Sequence, residues 1–94
     1  MNSRQRYAKM AKSVRYHAHR YFNSNMKYCD VNDREDRDQV KMFREDLSDL
    51  LNVARWIGKG QIKKAALLLD VMDTDPREVV PNYIYDYVCE DYFT

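Results

Sequence analysis

The sequence predicts an all-α protein, a small compact bundle of three to four helices formed by a single domain, residues 1–94. Ninety-four residues allow one hydrophobic core and leave no room for a second. Only two glycines and two prolines occur, so long uninterrupted elements are expected. Apolar residues recur along the chain at spacings of three and four, which is the period of an amphipathic helix.

The first predicted helix runs from Ser3 to Asn23. Asn2 and Ser3 are both suited to cap its start, and the polar residues 23–25 provide an exit. Residues 26–32 are predicted to connect this helix to the next. The apolar face of the helix consists of residues spaced by three and four: Tyr7, Ala11, Val14, Ala18 and Tyr21.

The second predicted helix begins at either Asn32 or Asp33 and ends at Gly58. Both candidate caps have an acidic residue three positions later, an arrangement that satisfies free backbone donors at a helix start. Glycine is suited to the end because it adopts the left-handed conformation that a helix end often needs. The apolar face keeps its spacing over the whole length: Val40, Phe43, Leu47, Leu50, Ala54 and Ile57.

A third, shorter helix is predicted over residues 61–72. The short link at residues 58–60 places it in a hairpin or a corner with the second helix. The run Asp75-Pro76-Arg77-Glu78 predicts a further helical turn, in which the aspartate caps and the proline occupies the first position. Pro81 ends that turn, because it disfavours helical geometry at the residue before it.

Residues 82–94 contain two conflicting patterns. Ile84, Val88 and Tyr92 share one helix face, whereas the tyrosines at alternate positions 83, 85 and 87 are typical of a strand. Helix is favoured, because a lone strand would have nothing in this chain to pair with. The strand is kept as the alternative.

Charge is distributed unevenly between the two ends of the chain, although the net charge is only +1. Residues 1–28 contain seven basic residues and no acidic one, whereas residues 70–94 contain seven acidic residues and one basic residue, Arg77. Such separation indicates either that the two ends meet in the fold or that each end faces a different partner.

The chain carries no recognisable catalytic motif, so neither an enzyme nor a bound cofactor or metal ion is expected. His17 and His19 would point about 200° apart on a helix and cannot reach the same ion. Asp30 begins a calcium-loop pattern that fails where a ligand and a glycine are required, because Arg34 and Glu35 stand there. No glycine-rich phosphate loop and no nucleophile elbow occur.

The compartment predicted from the sequence is the cytoplasm. Cys29 and Cys89 lie far apart and fit no ligand or redox spacing, so both thiols are expected to be reduced. No apolar run approaches the length needed to cross a membrane, and no membrane partner is expected.

One candidate binding surface lies on the first helix, opposite its apolar face. We call it the basic surface; it consists of Lys9, Lys12, Tyr16 and Arg20. A tyrosine among cations offers both phosphate contacts and a stacking platform, so this surface suits either a nucleic acid or a protein. The lysines at positions 59, 63 and 64 are expected to extend it.

The second candidate is the acidic, aromatic C-terminal segment, for which a protein partner is predicted. Its tyrosines cannot all be buried on one side of a short element, and tyrosine is enriched in protein interfaces. We call this set the tyrosine surface; it consists of Tyr83, Tyr85, Asp86, Tyr87, Glu90 and Asp91.

These observations predict a non-enzymatic helical module that acts by protein–protein contact, as an inhibitor or adaptor. In its overall character, short, helical, tyrosine-rich and charge-segregated, the chain resembles small phage-encoded proteins that bind and block host machinery. The alternative is a nucleic-acid-binding regulator that uses the basic first helix. Self-association is also expected, because the apolar stripes and tyrosines exceed what one small core needs.

Overall fold

Four α-helices and one 3₁₀ turn make up the fold of residues 2–90, which are the residues that this computed structural model describes. The all-α prediction is confirmed, and the described residues contain no strand. The elements follow each other as α1 (Ser3–Met26), α2 (Arg34–Gly58), α3 (Ile62–Val71), the 3₁₀ turn (Pro76–Glu78) and α4 (Asn82–Cys89).

Helices α1 and α2 form an antiparallel hairpin, which is the most extensive contact between elements. At one end of the hairpin the rings of Tyr21 and Phe43 meet edge to face, with centroids 6.0 Å apart. At the other end Gly58 lies beside Ala11. Contacts at both ends fix the relative direction of the two helices and their register.

Side-chain caps begin both long helices. Asn2 accepts a hydrogen bond from the Gln5 backbone, and the Gln5 side chain accepts one from the Asn2 backbone, so the two form a capping box. Asp33 caps α2 by accepting from the backbone N–H of Glu35. Of the two candidate caps for α2, the structure therefore uses Asp33.

Helix α1 continues to Met26, one turn beyond the predicted exit at Asn23. The polar run that indicated an exit is accommodated within the helix, because the Asn25 side chain donates a 2.8 Å hydrogen bond to the Tyr21 carbonyl oxygen. The contact between Tyr21 and Phe43 also keeps this last part of α1 against α2.

The link between α2 and α3 is a tight turn at Lys59-Gly60-Gln61. Gly60 has a φ of +76°, the left-handed conformation that side chains with a Cβ rarely adopt. The Gln61 backbone N–H donates to the Trp56 carbonyl oxygen at 2.8 Å. The positive φ therefore occurs at Gly60, whereas Gly58 is still helical.

All four helices and the segment that follows the 3₁₀ turn contribute side chains to one core. Many of the core residues that are most completely buried are small, which lets the helices approach closely. The core consists of Met10, Ala11, Val14, Ala18, Leu50, Val53, Ala54, Ile57, Ala65, Ala66, Leu69, Val79, Val80, Ile84, Val88 and Cys89.

The ambiguous segment that follows Pro81 is helical over the described residues 82–89. Ile84 and Val88 lie one turn apart and are both buried, and α4 packs against α3 and the 3₁₀ turn. The part of the predicted helix at residues 91–94 lies outside the described residues.

One buried carboxylate connects α2 to the segment before the 3₁₀ turn. Asp46 is only 4% exposed, and the Thr74 hydroxyl donates a 2.7 Å hydrogen bond to its Oδ2 atom. The Tyr21 phenol lies close by, where burial first and the charge of Asp46 second raise its pKa. This polar cluster fixes the position at which the chain leaves α3.

The two glycines should respond in opposite directions to the same substitution. Gly60→Ala should lower the free energy of unfolding by about 1 kcal/mol, because alanine is strained at positive φ. Gly58→Ala should raise it by about 0.5 kcal/mol, because the new Cβ would meet Ala11 at an ordinary 3.5 Å. Urea unfolding followed by circular dichroism measures both values. Equal signs would contradict the turn geometry.

Removing the Thr74 hydroxyl should destabilise the fold. Thr74→Val deprives a buried carboxylate of its hydrogen-bond donor and should lower the free energy of unfolding by about 1–2 kcal/mol. Thr74→Ser keeps the hydroxyl and serves as the matched control, with a smaller loss. Urea titrations of the two variants provide the comparison, and equal losses in both would show that the hydrogen bond contributes nothing.

Candidate functional site

Helix α1 carries a positive charge that is not paired with carboxylates among residues 2–90. It contains arginines and lysines and no acidic residue. Within residues 2–90, the one ion pair shorter than 4.0 Å joins Arg77 to Asp75, at 3.3 Å. Within residues 2–90, no cation of α1 therefore has a carboxylate within ion-pair distance.

The basic surface is exposed along its whole length. Lys9, Lys12, Tyr16 and Arg20 all lie on the solvent side of α1, and Tyr16 is 59% exposed. Arg20 Nη1 lies 3.4 Å from the Tyr16 hydroxyl, and the His17 ring meets the Tyr16 ring edge to face. The structure therefore presents these four residues as one row on a single helix.

Two of the three lysines that were expected to extend the basic surface lie against a tryptophan ring instead. Lys59 and Lys64 converge on the indole ring of Trp56, with their ammonium nitrogens 5.7 Å and 4.7 Å from the ring centroid. Such cation–π contacts stabilise the α2–α3 corner. A shallow groove instead continues the row toward the end of α1; it is lined by Tyr16, His19, Arg20, Asn23, Ser24 and Lys27.

Helix α4 divides the tyrosine surface between two sides. Tyr83 is 66% exposed, and Asp86 and Glu90 are exposed on the same side of the helix. Tyr87 is half-buried and turned toward α1, where the Arg6 guanidinium lies 5.8 Å from its ring centroid. Asp91, which belongs to the predicted set, lies outside the described residues.

Tyr85 occupies the opposite flank of α4 from Tyr83. Its ring lies 5.8 Å from the Arg77 guanidinium and beside the Cys89 thiol. Burial raises the pKa of the Tyr85 phenol, and burial also raises the pKa of the Cys89 thiol. Both groups are therefore neutral at physiological pH, and Tyr85 does not share a surface with Tyr83.

The two predicted surfaces meet in a cleft of about 270 Å³ between α1 and α4. We call it the α1–α4 cleft; it is lined by Arg6, Lys9, Met10, Tyr83 and Tyr87. The hydrogen bond to Tyr87 raises the pKa of the Tyr7 phenol, so a tyrosine pair joins the two helices next to the cleft. Lys9 comes from the basic surface, and both cleft tyrosines come from the tyrosine surface.

Sequence reasoning missed two residues of this cleft. Arg6 is one of several basic residues near the N-terminus, and Met10 directly precedes Ala11 of the apolar face of the first helix. Met10 is buried in the core at the base of α1, so its side chain supplies an apolar floor. The signal that could have identified them is their spacing, because residues 6, 9 and 10 share one side of a helix.

A second concavity lies on the other side of Tyr83. It has a volume of about 450 Å³ and extends between α1 and the segment around the 3₁₀ turn, from Ser13 and His17 to Pro81 and Asn82. Tyr83 lines both this concavity and the α1–α4 cleft. The exposed ring therefore stands as a ridge between two depressions.

Asp75, the acidic residue that precedes the 3₁₀ turn, has a structural role. Asp75 caps the turn by accepting from the backbone N–H of Arg77, and this bond, with a second one from the Arg77 side chain, lowers the pKa of Asp75. Within residues 2–90 no group of histidine, cysteine, aspartate or glutamate side chains has the arrangement of a metal site.

Two broader findings complete the description. Within the same residues, no helix combines the length and the apolarity needed to cross a membrane. Comparison of the chain with protein-family models, with curated proteins and with solved structures finds no match.

The tyrosine pair beside the cleft can be tested by titration. Tyr87→Phe removes the hydroxyl that bonds to Tyr7, so the pKa of Tyr7 should fall toward the ordinary value of 10.0. Tyr85→Phe, on the opposite flank of α4, is the control and should leave the pKa of Tyr7 unchanged. NMR of the assigned tyrosine rings follows both titrations. An unchanged Tyr7 in the Tyr87→Phe variant would contradict the described contact between α1 and α4.

Proposed function

We propose that this chain is a non-enzymatic protein-interaction module that acts in the cytoplasm as an inhibitor or adaptor, of the type that phages use to bind and block host machinery. The observation that carries the proposal is the α1–α4 cleft. It combines an apolar floor at Met10, an exposed ring at Tyr83, and two cations, Arg6 and Lys9, that have no carboxylate partner within residues 2–90.

The composition of the cleft is that of a protein-binding hot spot. Tyrosine and arginine are the residue types that most often dominate binding energy when a partner covers them. Tyrosine also provides a large contact area at a small cost in side-chain entropy. A ring that is 66% exposed leaves much of its apolar area in water, and contact with a partner would remove that area from water.

The charge of α1 supports an acidic partner surface. Its cations are not used for internal ion pairs within residues 2–90, so their charge raises the rate at which a negatively charged surface associates. A partner that normally holds nucleic acid is basic. Against such a partner, Asp86 of α4 and Glu90, the residue that follows the helix, would be the complementary acidic group.

The proposed compartment and the proposed self-association rest on residues outside the cleft. Cys29 and Cys89 are both free thiols, which supports a reducing compartment such as the cytoplasm. Leu67 and Val71 lie one turn apart on the solvent side of α3, where they are 50% and 62% exposed. This apolar pair supports self-association of the chain through α3.

A nucleic-acid-binding regulator is the second candidate, favoured by the row of Lys12, Tyr16 and Arg20. An exposed ring between cations can stack on a base while the cations contact phosphates. The net charge of +1 argues against this candidate, because dedicated nucleic-acid-binding domains are usually much more basic.

A pull-down from cell extract, with and without nuclease, separates the two candidates. We expect a stoichiometric protein that survives nuclease and whose affinity, measured by calorimetry with the purified protein, falls about 30-fold with Tyr83→Ala. Tyr83 is largely exposed, so this variant should fold normally. Lys63→Glu, a surface change on α3, is the control and should retain the protein.

The opposite pattern would replace this proposal with the second candidate. Material that disappears with nuclease, binding that weakens steeply with salt, and a loss of binding in the Lys12→Glu variant would together indicate a nucleic-acid partner.

A further inference from the structure

The lining of the α1–α4 cleft indicates the chemistry of the ligand that it can hold. We propose that the cleft binds an acidic peptide segment of the partner protein. One apolar or aromatic side chain of that segment enters beside Tyr83, and its flanking carboxylates meet Arg6 and Lys9. This inference rests on the proposed function and specifies the partner that the proposed function leaves open.

The size of the cleft favours one side chain as the inserted group. Small-molecule sites usually enclose about 300–1,000 Å³. The cleft, at about 270 Å³, lies below that range and is large enough for a leucine or an aromatic side chain. Such a group is the usual anchor of a peptide in a protein groove.

The walls of the cleft suit an apolar anchor. Met10 forms the floor, and the flexible thioether of methionine adapts to anchors of different shape. Tyr83 and Tyr87 line the α4 side, and the Arg6 guanidinium already covers the Tyr87 ring. Tyr83 is therefore the ring that is free to pack against the anchor.

The positive charge at the cleft is placed to bind carboxylates. Arg6 and Lys9 lie one helical turn apart on α1 and line the same cleft. Neither has a carboxylate within 4.0 Å among residues 2–90. Two acidic residues that flank the anchor can therefore each form a charge-assisted hydrogen bond with one of these cations.

A negative charge near Tyr83 favours a peptide over a nucleic-acid strand as the ligand of the cleft. Asp86 lies one turn from Tyr83 on the exposed side of α4. Its negative charge repels a phosphate backbone, which carries a charge at every nucleotide. A peptide can place its carboxylates on the α1 side alone. The cleft also offers one free ring, whereas single-strand binding usually uses several successive rings.

A random peptide library displayed against the immobilised full chain tests the proposal. We expect enrichment of peptides with a leucine or aromatic residue between acidic residues. A synthetic peptide of the enriched sequence, titrated by fluorescence anisotropy, should bind at least about tenfold more weakly to Tyr83→Ala and to Lys9→Glu. Both positions are exposed, and circular dichroism confirms that the variants fold.

Lys41→Glu provides the matched control, because it makes the same charge change on the exposed side of α2, away from the cleft and from both named surfaces. This variant should weaken peptide binding by less than about threefold, because at physiological salt the interaction between exposed charges decays over roughly 8 Å. The proposal is overturned if the enriched peptides carry no acidic residues, or if Lys9→Glu and Lys41→Glu weaken binding equally. It is also overturned if a single-stranded oligonucleotide occupies the cleft in preference to every acidic peptide.

Failure of this inference can be distinguished from failure of the proposed function. A protein that is captured from extract and lost with Lys12→Glu and Arg20→Glu, but kept by Tyr83→Ala, would support a protein-interaction module that binds through the basic surface. That result would remove the cleft as its peptide site. Capture of nucleic acid alone would contradict both proposals.

Discussion

Close packing between α1 and α2 is the contact on which the other elements depend. Ala11 lies against Gly58, and Ala18 and Ala54 are fully buried, so small residues let the two helices approach closely. This hairpin uses one side of α1 for α2. It leaves an adjacent side, with Arg6 and Met10, for the contact with α4. The cleft lies on this uncovered side, because α2 packs against only part of the circumference of α1.

The long helices were predictable because each shows several turns of regular apolar spacing. A short helix is harder to predict, since in α4 the alternation of Tyr83, Tyr85 and Tyr87 competes with the helical pair Ile84 and Val88. Packing against α3 decides the conformation, and sequence patterns do not contain that information. The exit of α1 differs from the prediction for a similar reason, because contact between Tyr21 and Phe43 keeps the polar end helical.

The candidate surfaces were predicted as separate regions, and the fold joins part of one to part of the other. Arg6 and Tyr87 are near opposite ends of the sequence, so no local pattern indicates that they touch. The charge separation between the two ends left open whether the ends meet or each faces a different partner. The contact that joins them is a cation–π contact and not an ion pair, so the cleft depends on which side chains point toward each other. Tyr85 shows this limit, because the two-residue spacing from Tyr83 places it on the opposite flank of the helix.

The single tryptophan gives this protein an optical reporter of one part of its fold. Trp56 is half-buried at the α2–α3 corner and is flanked by the ammonium groups of Lys59 and Lys64. Its ring does not line the α1–α4 cleft. Because an indole can be excited separately from tyrosine, its emission follows the solvation of this corner. The other aromatic rings, most of them tyrosines, remain available as probes of the surfaces where partners are expected to bind.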